Sequence, residues 1–215
     1  MPKLRAHNLA ISLDGFATGE GQSLETPFGH AGMRLMEKWF FATNTFQQMQ
    51  GRTGEMNIDD GFASAWGDNI GAEIMGRRKF GPQQGSWEDD GWRGWWGEEP
   101  PFHSPVVVLT HYPRPEMVVG ETTFHFKDAT PSEALDLAFE LAGGKDVRLG
   151  GGANVVRQFL AADLVDYLHV VVSPIILGRG ERLWDGLEGL EERFDIETTA
   201  SPSGVVHHVF TRKAR

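Results

Sequence analysis

The hydrophobic positions along the chain change their period repeatedly, and the changes outline strands alternating with helices. Lys3 to Leu13 mixes apolar and small residues and stops at Asp14-Gly15, which predicts a first strand entering a turn. Phe16 to His30, rich in glycine with one proline, predicts a mobile loop. Met33, Met36, Trp39, Phe40, Phe46 and Met49 fall mostly at helical spacing, so a helix is expected over Met33 to Met49. Asp59 to Gly67 suggests a second, short helix, and Gly71 to Met75 a strand. Gly81 to Pro105 is rich in Gly, Pro and Trp without a sustained period, the pattern of a long loop of the kind that is functional or disordered. The apolar run Val106 to Thr110 predicts a strand buried on both faces.

The strongest local signal is Thr130-Pro131-Ser132-Glu133, a Thr cap with Pro at the first helical position and Glu three residues after the cap. The helix it starts should run to about Ala142 and stop at Gly143-Gly144. Asp146 to Leu149 then predicts a strand, Ala153 to Ala162 a helix and Tyr167 to Val172 another strand. Strands separated by helices imply βαβ units: an α/β fold with a mostly parallel central sheet and helices on both faces. Phe194 to Thr199 and Val205 to Thr211 flank Ser201-Pro202-Ser203-Gly204, which predicts an antiparallel C-terminal edge.

With 215 residues, 40% hydrophobic and 23% charged, the chain fits a single globular domain over 1–215, with insertions near 16–57 and 81–104. Thirty acidic against 20 basic residues give a net charge of -10, so no nucleic-acid partner is expected and any anionic ligand must be held locally. The longest apolar stretch, Leu168 to Leu177, is broken by His169, Ser173 and Pro174 and is about half the length a bilayer requires. Neither a membrane span nor secretion is expected. The absence of cysteine excludes disulfides, thiolate metal sites and a cysteine nucleophile, and fits a cytoplasmic protein. No metal site is expected either. The adjacent pair His207-His208 would point to opposite faces of a strand, and the chain contains no HExxH or GxSxG motif.

Candidate chemistry concentrates at strand ends. In Val147-Arg148-Leu149-Gly150-Gly151-Gly152-Ala153-Asn154-Val155 a strand runs through three glycines into a helix, so the backbone can approach an anion and offer it the first free N–H groups. The spacing is not a dinucleotide fingerprint, since Val155 stands where GxGxxG needs its third glycine. A tight turn that simply requires small residues is the alternative. Ile74-Met75-Gly76-Arg77-Arg78-Lys79-Phe80 places three consecutive cations at another strand end, suited to a phosphate monoester or, more plainly, to a solvated basic turn.

Ala10 to Gly15, Met75-Gly76-Arg77, Val108-Leu109-Thr110, Leu149 to Gly152, and Asp166-Tyr167-Leu168-His169 with Pro174 to Gly180 follow one another in the order found in the dihydrofolate reductase superfamily. The chain most resembles the branch typified by the C-terminal reductase domain of the bacterial riboflavin-biosynthesis deaminase-reductase. That resemblance implies a three-layer dihydrofolate reductase-like sandwich, NADPH as cofactor, a homodimer and hydride transfer to a small pterin- or aminopyrimidine-like heterocycle or a carbonyl compound. The known reaction of the branch is reduction of 5-amino-6-(5-phosphoribosylamino)uracil. By position it places Ala10 and Ile11 at the nicotinamide, Gly76, Arg77 and Arg78 at the adenosine-side phosphates, and Leu109, Thr110 and His111 beside the adenine ribose. Gly150, Gly151, Gly152, Ala153, Asn154 and Val155 would hold the pyrophosphate. Asp14 is the first candidate for a catalytic or substrate-facing residue, a plain turn Asp being the alternative. Asp59 and Asp60 come just ahead of the nearest helix, where Asp60 could meet substrate or simply cap. Trp92, in the Trp87 to Trp96 cluster, could stack on a flat substrate or pack on its own domain. Two rivals stay open: a nucleotide-binding protein without turnover, and a protein whose glycine turn is purely structural.

Overall fold

The expected apolar runs become strands with small changes at their ends. The computed structural model describes residues 1–87 and 91–214. In chain order the elements are β1 (Leu4–Ser12), β2 (Phe16–Thr18), α1 (Arg34–Glu37), α2 (Asn44–Met49), α3 (Ile58–Ser64), β3 (Ile70–Gly76), α4 (Arg77–Phe80) and β4 (Pro105–Leu109). There follow β5 (Met117–Val119), β6 (Thr122–Lys127), α5 (Pro131–Leu141), β7 (Asp146–Gly151), α6 (Ala153–Ala161), β8 (Tyr167–Ser173), β9 (Glu181–Arg182), β10 (Phe194–Ala200) and β11 (Val206–Arg212). The result is an α/β fold with a large, mostly parallel sheet, antiparallel edge strands and helices around it.

The chain divides into two compact units. The first comprises Met1–Arg5 and Asn69–Asp166, with strand order β1-β7-β3-β4-β6-β5. Neighbours from β1 to β6 run parallel, and β5 closes the edge antiparallel to β6. Val106, Val107 and Val108 are fully buried, as their unbroken β-branched run implies. The capping box forms as expected: Thr130 accepts from the Glu133 N–H while the Glu133 side chain accepts from the Thr130 N–H, and α5 packs against β3, β4 and β7. No helix or strand occurs among the described residues of 81–104; residues 88–90 of the expected long loop lie outside that description. The loop's Trp87, Trp92, Trp96 and Phe102 pack against a core of Phe80, Phe124 and Phe126.

The second unit comprises Ala6–Asp68 and Tyr167–Arg215, with strand order β10-β11-β8-β1. The β10–β11 hairpin is antiparallel, as the Ser201–Gly204 turn chemistry requires, and β11 is antiparallel to β8. Ala10, Leu35, Trp39, Ala63 and Val171 are among the core residues.

Three local expectations need correction. The helix expected over Met33 to Met49 is two short helices, α1 and α2, because the buried Thr43 interrupts it. Its hydroxyl donates to the Phe40 carbonyl at 2.6 Å and accepts from the Phe46 N–H at 3.2 Å, so it N-caps α2. Phe40, Phe41 and Phe46 form a ring cluster in place of a helical stripe. At α3 the cap is Asn57, which accepts from the Asp60 N–H, so Asp59 and Asp60 stand inside the first turn and do not cap it. Part of the loop expected over Phe16 to His30 is the strand β2, paired with β9.

Candidate functional site

In the first unit β7, β3 and β4 are parallel neighbours, with Met75 level with Gly151 and Gly76 level with Leu109. The turns beginning at Gly76, Leu109 and Gly151 therefore leave one edge of the sheet side by side. In open parallel sheets the carboxyl edge of the strands is where ligands bind.

The glycine turn divides into a packed part and an open part. An added Cβ at Gly150 would lie 2.0 Å from Glu73 Oε1 and 2.6 Å from Lys79 Nζ, so it would have to push the ends of both side chains aside. Gly151 and Gly152 have nothing within 4 Å of that position, and Gly151 has φ +104°, a conformation L side chains rarely adopt. Gly152 is the N-cap of the nine-residue α6 and gives it no side-chain cap; the first intrahelical bond runs from the Val156 N–H to the Gly152 carbonyl at 3.1 Å. The N–H groups of Ala153, Asn154 and Val155 precede that bond, the arrangement that receives an anion. Gly76 is small for another reason: its Cβ would lie 2.7 Å from Val155 Cγ2, so α6 passes close over the end of β3.

The three cations after Gly76 diverge. Successive residues on a helical turn project about 100° apart, so they do not meet one ligand together. Arg78 is exposed, and Lys79 turns under the sheet edge to Glu73 at 3.1 Å and the Gly150 carbonyl at 2.7 Å. The Arg77 guanidinium lies 3.9 Å from the centre of the Trp87 ring and 5.5 Å from that of Tyr112. Its Nη1 donates to the Gly85 carbonyl, whereas Nε and Nη2 are buried with no hydrogen-bond partner among the described residues. Desolvation pulls the Arg77 pKa down, opposed by Tyr112, and an arginine stays charged regardless. Charged donors left unpaired cost more than the roughly 1–3 kcal/mol of a neutral group, so this guanidinium suits an anionic partner. On β4's turn Thr110 is buried and accepts from the Tyr112 N–H, while His111 is exposed, 3.0 Å from Asp128. A surface groove there is lined by His111, Asp128, Thr130, Pro131, Glu133 and Gln158. Trp92 donates its indole N–H to the Phe80 carbonyl at 3.0 Å and packs edge-on to Trp95, which ties it to its own unit.

The remaining candidates belong to the second unit. Ala10 and Ile11 lie buried on β1. Asp14 accepts from the Ser12 hydroxyl at 2.6 Å and from the N–H groups of Leu177 and Gly178 at 3.1 and 2.7 Å. The Ser12 bond and these backbone donors hold its pKa down at about 2, so at neutral pH it can accept a proton bond but has no proton to give. Asp60 accepts from both the N–H and the hydroxyl of Thr45, each at 2.7 Å, and joins α3 to α2.

One buried polar chain escaped the sequence reading. Asp59 lies 2.8 Å from His207 Nε2, His207 Nδ1 lies 3.0 Å from His169 Nε2, and His169 Nδ1 reaches Asn8 at 3.1 Å. Asp59, an acceptor, assigns a proton to His207 Nε2. Phe62 stacks on both imidazoles, and Trp39 meets His207 edge-on. Burial first, and His207 second, push the His169 pKa down to about 3. The opposite orientations expected of His207 and His208 hold: the former is fully buried and the latter, partly exposed, bonds Thr198. Among the described residues no group of three or more His, Cys, Asp or Glu could hold a metal ion, and no helix is long and apolar enough to cross a membrane.

A family model described as the RibD C-terminal domain matches residues 3–206. The uncharacterized protein YyaP of Bacillus subtilis is 33% identical over 67 residues, which make up 31% of this chain and 36% of that protein. The match thus spans about a third of that curated relative. Among solved structures, a putative riboflavin biosynthesis protein from Shewanella sp. PV-4 superposes with a TM-score of 0.58 at 18% identity, covering 100% of both chains. A diaminohydroxyphosphoribosylaminopyrimidine deaminase/5-amino-6-(5-phosphoribosylamino)uracil reductase from Thermotoga maritima gives 0.55 at 15% identity, over 99% of this chain and 57% of that one. Dihydrofolate reductase from Enterococcus faecalis, complexed with NADP(H) and RAB-propyl, gives 0.52 at 14% identity, over 99% and 97%. At such identities these likenesses speak for the fold alone, while the family match runs along nearly the whole sequence. The fold is thus dihydrofolate reductase-like, and the chain belongs to the RibD C-terminal domain family.

Proposed function

We propose that the protein is an NADPH-dependent reductase that transfers hydride to a small heterocyclic or carbonyl substrate, of the kind named for the Thermotoga relative's uracil reductase activity. The observation that carries this reading is the open Gly151-Gly152 cradle at the uncapped start of α6, beside the end of β3, where Arg77 at the start of α4 keeps two buried donors unpartnered among the described residues. The α6 N–H groups of Ala153, Asn154 and Val155 would receive the pyrophosphate. Arg77 would take a phosphate monoester, with Gly76 keeping the turn close and Arg78 adding charge at the rim. Leu109, Thr110 and His111 would border the ribose. Ala10 and Ile11 are assigned to the nicotinamide side by family resemblance. NADPH, when bound, would supply the hydride. Asp14 fixes the Leu177–Gly178 turn and does not serve as acid, so the proton comes from another group or from water. Asp60 and Trp92 support the elements they join. Homodimer formation and a cytoplasmic location belong to the same proposal.

Titration of NADPH against intrinsic tryptophan fluorescence tests this reading. Saturable quenching or energy transfer is expected, and its absence at millimolar cofactor sinks the proposal. Arg77→Ala is expected to weaken NADPH binding by about tenfold or more while changing NADH binding little, since a charge-assisted phosphate contact accounts for roughly that difference. A second reading, nucleotide binding without turnover, is favoured by one observation: Asp14 and Asp60, the two candidate substrate carboxylates, are both satisfied internally. NADPH binding without oxidation across a panel of pteridines, aminopyrimidines and carbonyl compounds would support it.

A further inference from the structure

The glycine turn is anchored from below. The register between β3 and β7 runs regularly from Ala72 opposite Val147 to Ile74 opposite Leu149 and then jumps to Met75 opposite Gly151, which makes Gly150 the extra residue of a bulge. A bulge takes a residue out of the ladder and bends its strand. Here the bent strand carries Gly151, Gly152 and the start of α6. The Gly150 carbonyl accepts from Lys79 Nζ at 2.7 Å, and the same ammonium lies 3.1 Å from Glu73 Oε1.

Glu73 is almost wholly buried and stands in register with Arg148, to which its other oxygen is paired. The carboxylate therefore has a cation without Lys79, and both Lys79 and Arg148 pair with it beneath the turn. The Phe102 ring lies 6.0 Å from Lys79 Nζ and 5.7 Å from the Arg148 guanidinium carbon. A Cβ at Gly150 would displace the Glu73 carboxylate and the Lys79 ammonium, which fill that space. Lys79 also sits two residues beyond Arg77 on α4, so its bond to β7 ties the two anion-compatible turns together.

We propose that Lys79 is a positioning residue: its ammonium holds the bulged Gly150 carbonyl and thereby sets the Gly151-Gly152 turn and the N-terminus of α6 for an anionic ligand. Donation to that carbonyl polarises the Gly150–Gly151 peptide, whose N–H belongs to Gly151, and so strengthens it as a donor. Burial, the largest influence on Lys79, pulls its pKa down, while Glu73 opposes the shift. The ammonium is held by geometry that costs desolvation, with a carboxylate and a carbonyl in return. The ligand half of this inference rests on the proposed cofactor reading; the clamp on the turn does not.

The test uses the full chain with Lys79→Met, Lys79→Arg and Glu73→Gln. Lys79→Met keeps the length of the stem and leaves Glu73 paired with Arg148, so folding is expected. In the ligand-free protein, amide hydrogen exchange over residues 149–155 should quicken by about tenfold while α5 exchanges as before, the signature of local opening. NADPH affinity should fall by about tenfold, with the single-turnover rate at saturating cofactor unchanged, as expected of a lost positioning hydrogen bond. Lys79→Arg should restore both readouts to within about threefold, because a guanidinium can also donate to the carbonyl. Native exchange and native affinity in Lys79→Met would overturn the proposal. If that variant does not fold, Glu73→Gln decides: exchange over the same residues must quicken, and unchanged exchange overturns the clamp. Quickened exchange in a protein whose native form binds no NADPH would sink the cofactor reading and leave the clamp standing.

Discussion

Single residues in the glycine turn do different work, and substitution should separate them. Gly150→Ala forces a Cβ into the Glu73 and Lys79 side chains, an overpacking that costs roughly 1–3 kcal/mol and should appear as a lowered denaturation midpoint. Gly152→Ala meets nothing within 4 Å and has φ -67°, which alanine adopts freely, so its stability should match the native protein. Its methyl would nevertheless stand in the space offered to the ligand, and weaker NADPH binding is expected in the same titration. Equal loss of stability in both variants would mean that the turn is packing throughout.

At the scale of elements, caps decide where helices begin. α5 has a complete capping box, and Thr130→Ala should lower stability by about 1 kcal/mol, read from urea unfolding with an unchanged m-value. The effect should stay local, because α5 packs on β3, β4 and β7 through Ala134, Leu135 and Ala138, which the substitution leaves in place. Thr43 shows the opposite use of a hydroxyl: it ends one turn at Phe40 and starts α2, splitting a stretch whose hydrophobic spacing reads as one helix.

At the scale of the whole molecule, acid should unfold the protein through buried and hydrogen-bonded groups. His169 has a native pKa near 3 against an ordinary value of 6.5, so the unfolded chain binds the proton first. Its contribution is fully present above about pH 6.5 and is lost as pH falls toward 3. Asp14, held near 2 against 3.8, adds a second loss below about pH 4, discounted because that carboxylate is solvent-screened. Urea midpoints should thus decline between pH 6.5 and 4, and His169→Gln should flatten that slope while lowering stability at neutral pH. A pH-independent midpoint across this range would contradict the neutral buried histidine.

The sequence by itself determined the elements whose signals are local. Thr130-Pro131-Ser132-Glu133 specifies a helix start, Val106 to Val108 a buried strand and Ser201 to Gly204 a hairpin turn, because capping, β-branching and turn chemistry act within a few residues. It also placed the turns at Gly76 and at Gly150 to Gly152 at strand ends, since a strand, glycine and a helix start follow one another in the chain there. Short strands such as β2, β5 and β9 were not legible, being too brief to show a period and made by their partners. Partner choice lay beyond local pattern altogether. Only the tertiary structure decided that Asp14 and Asp60 are consumed by backbone and hydroxyl donors, that Asp59 joins His207 and His169, and that Lys79 leaves the cationic triplet to hold Gly150. Register and long-range hydrogen bonds fix these choices, and both join residues far apart in sequence.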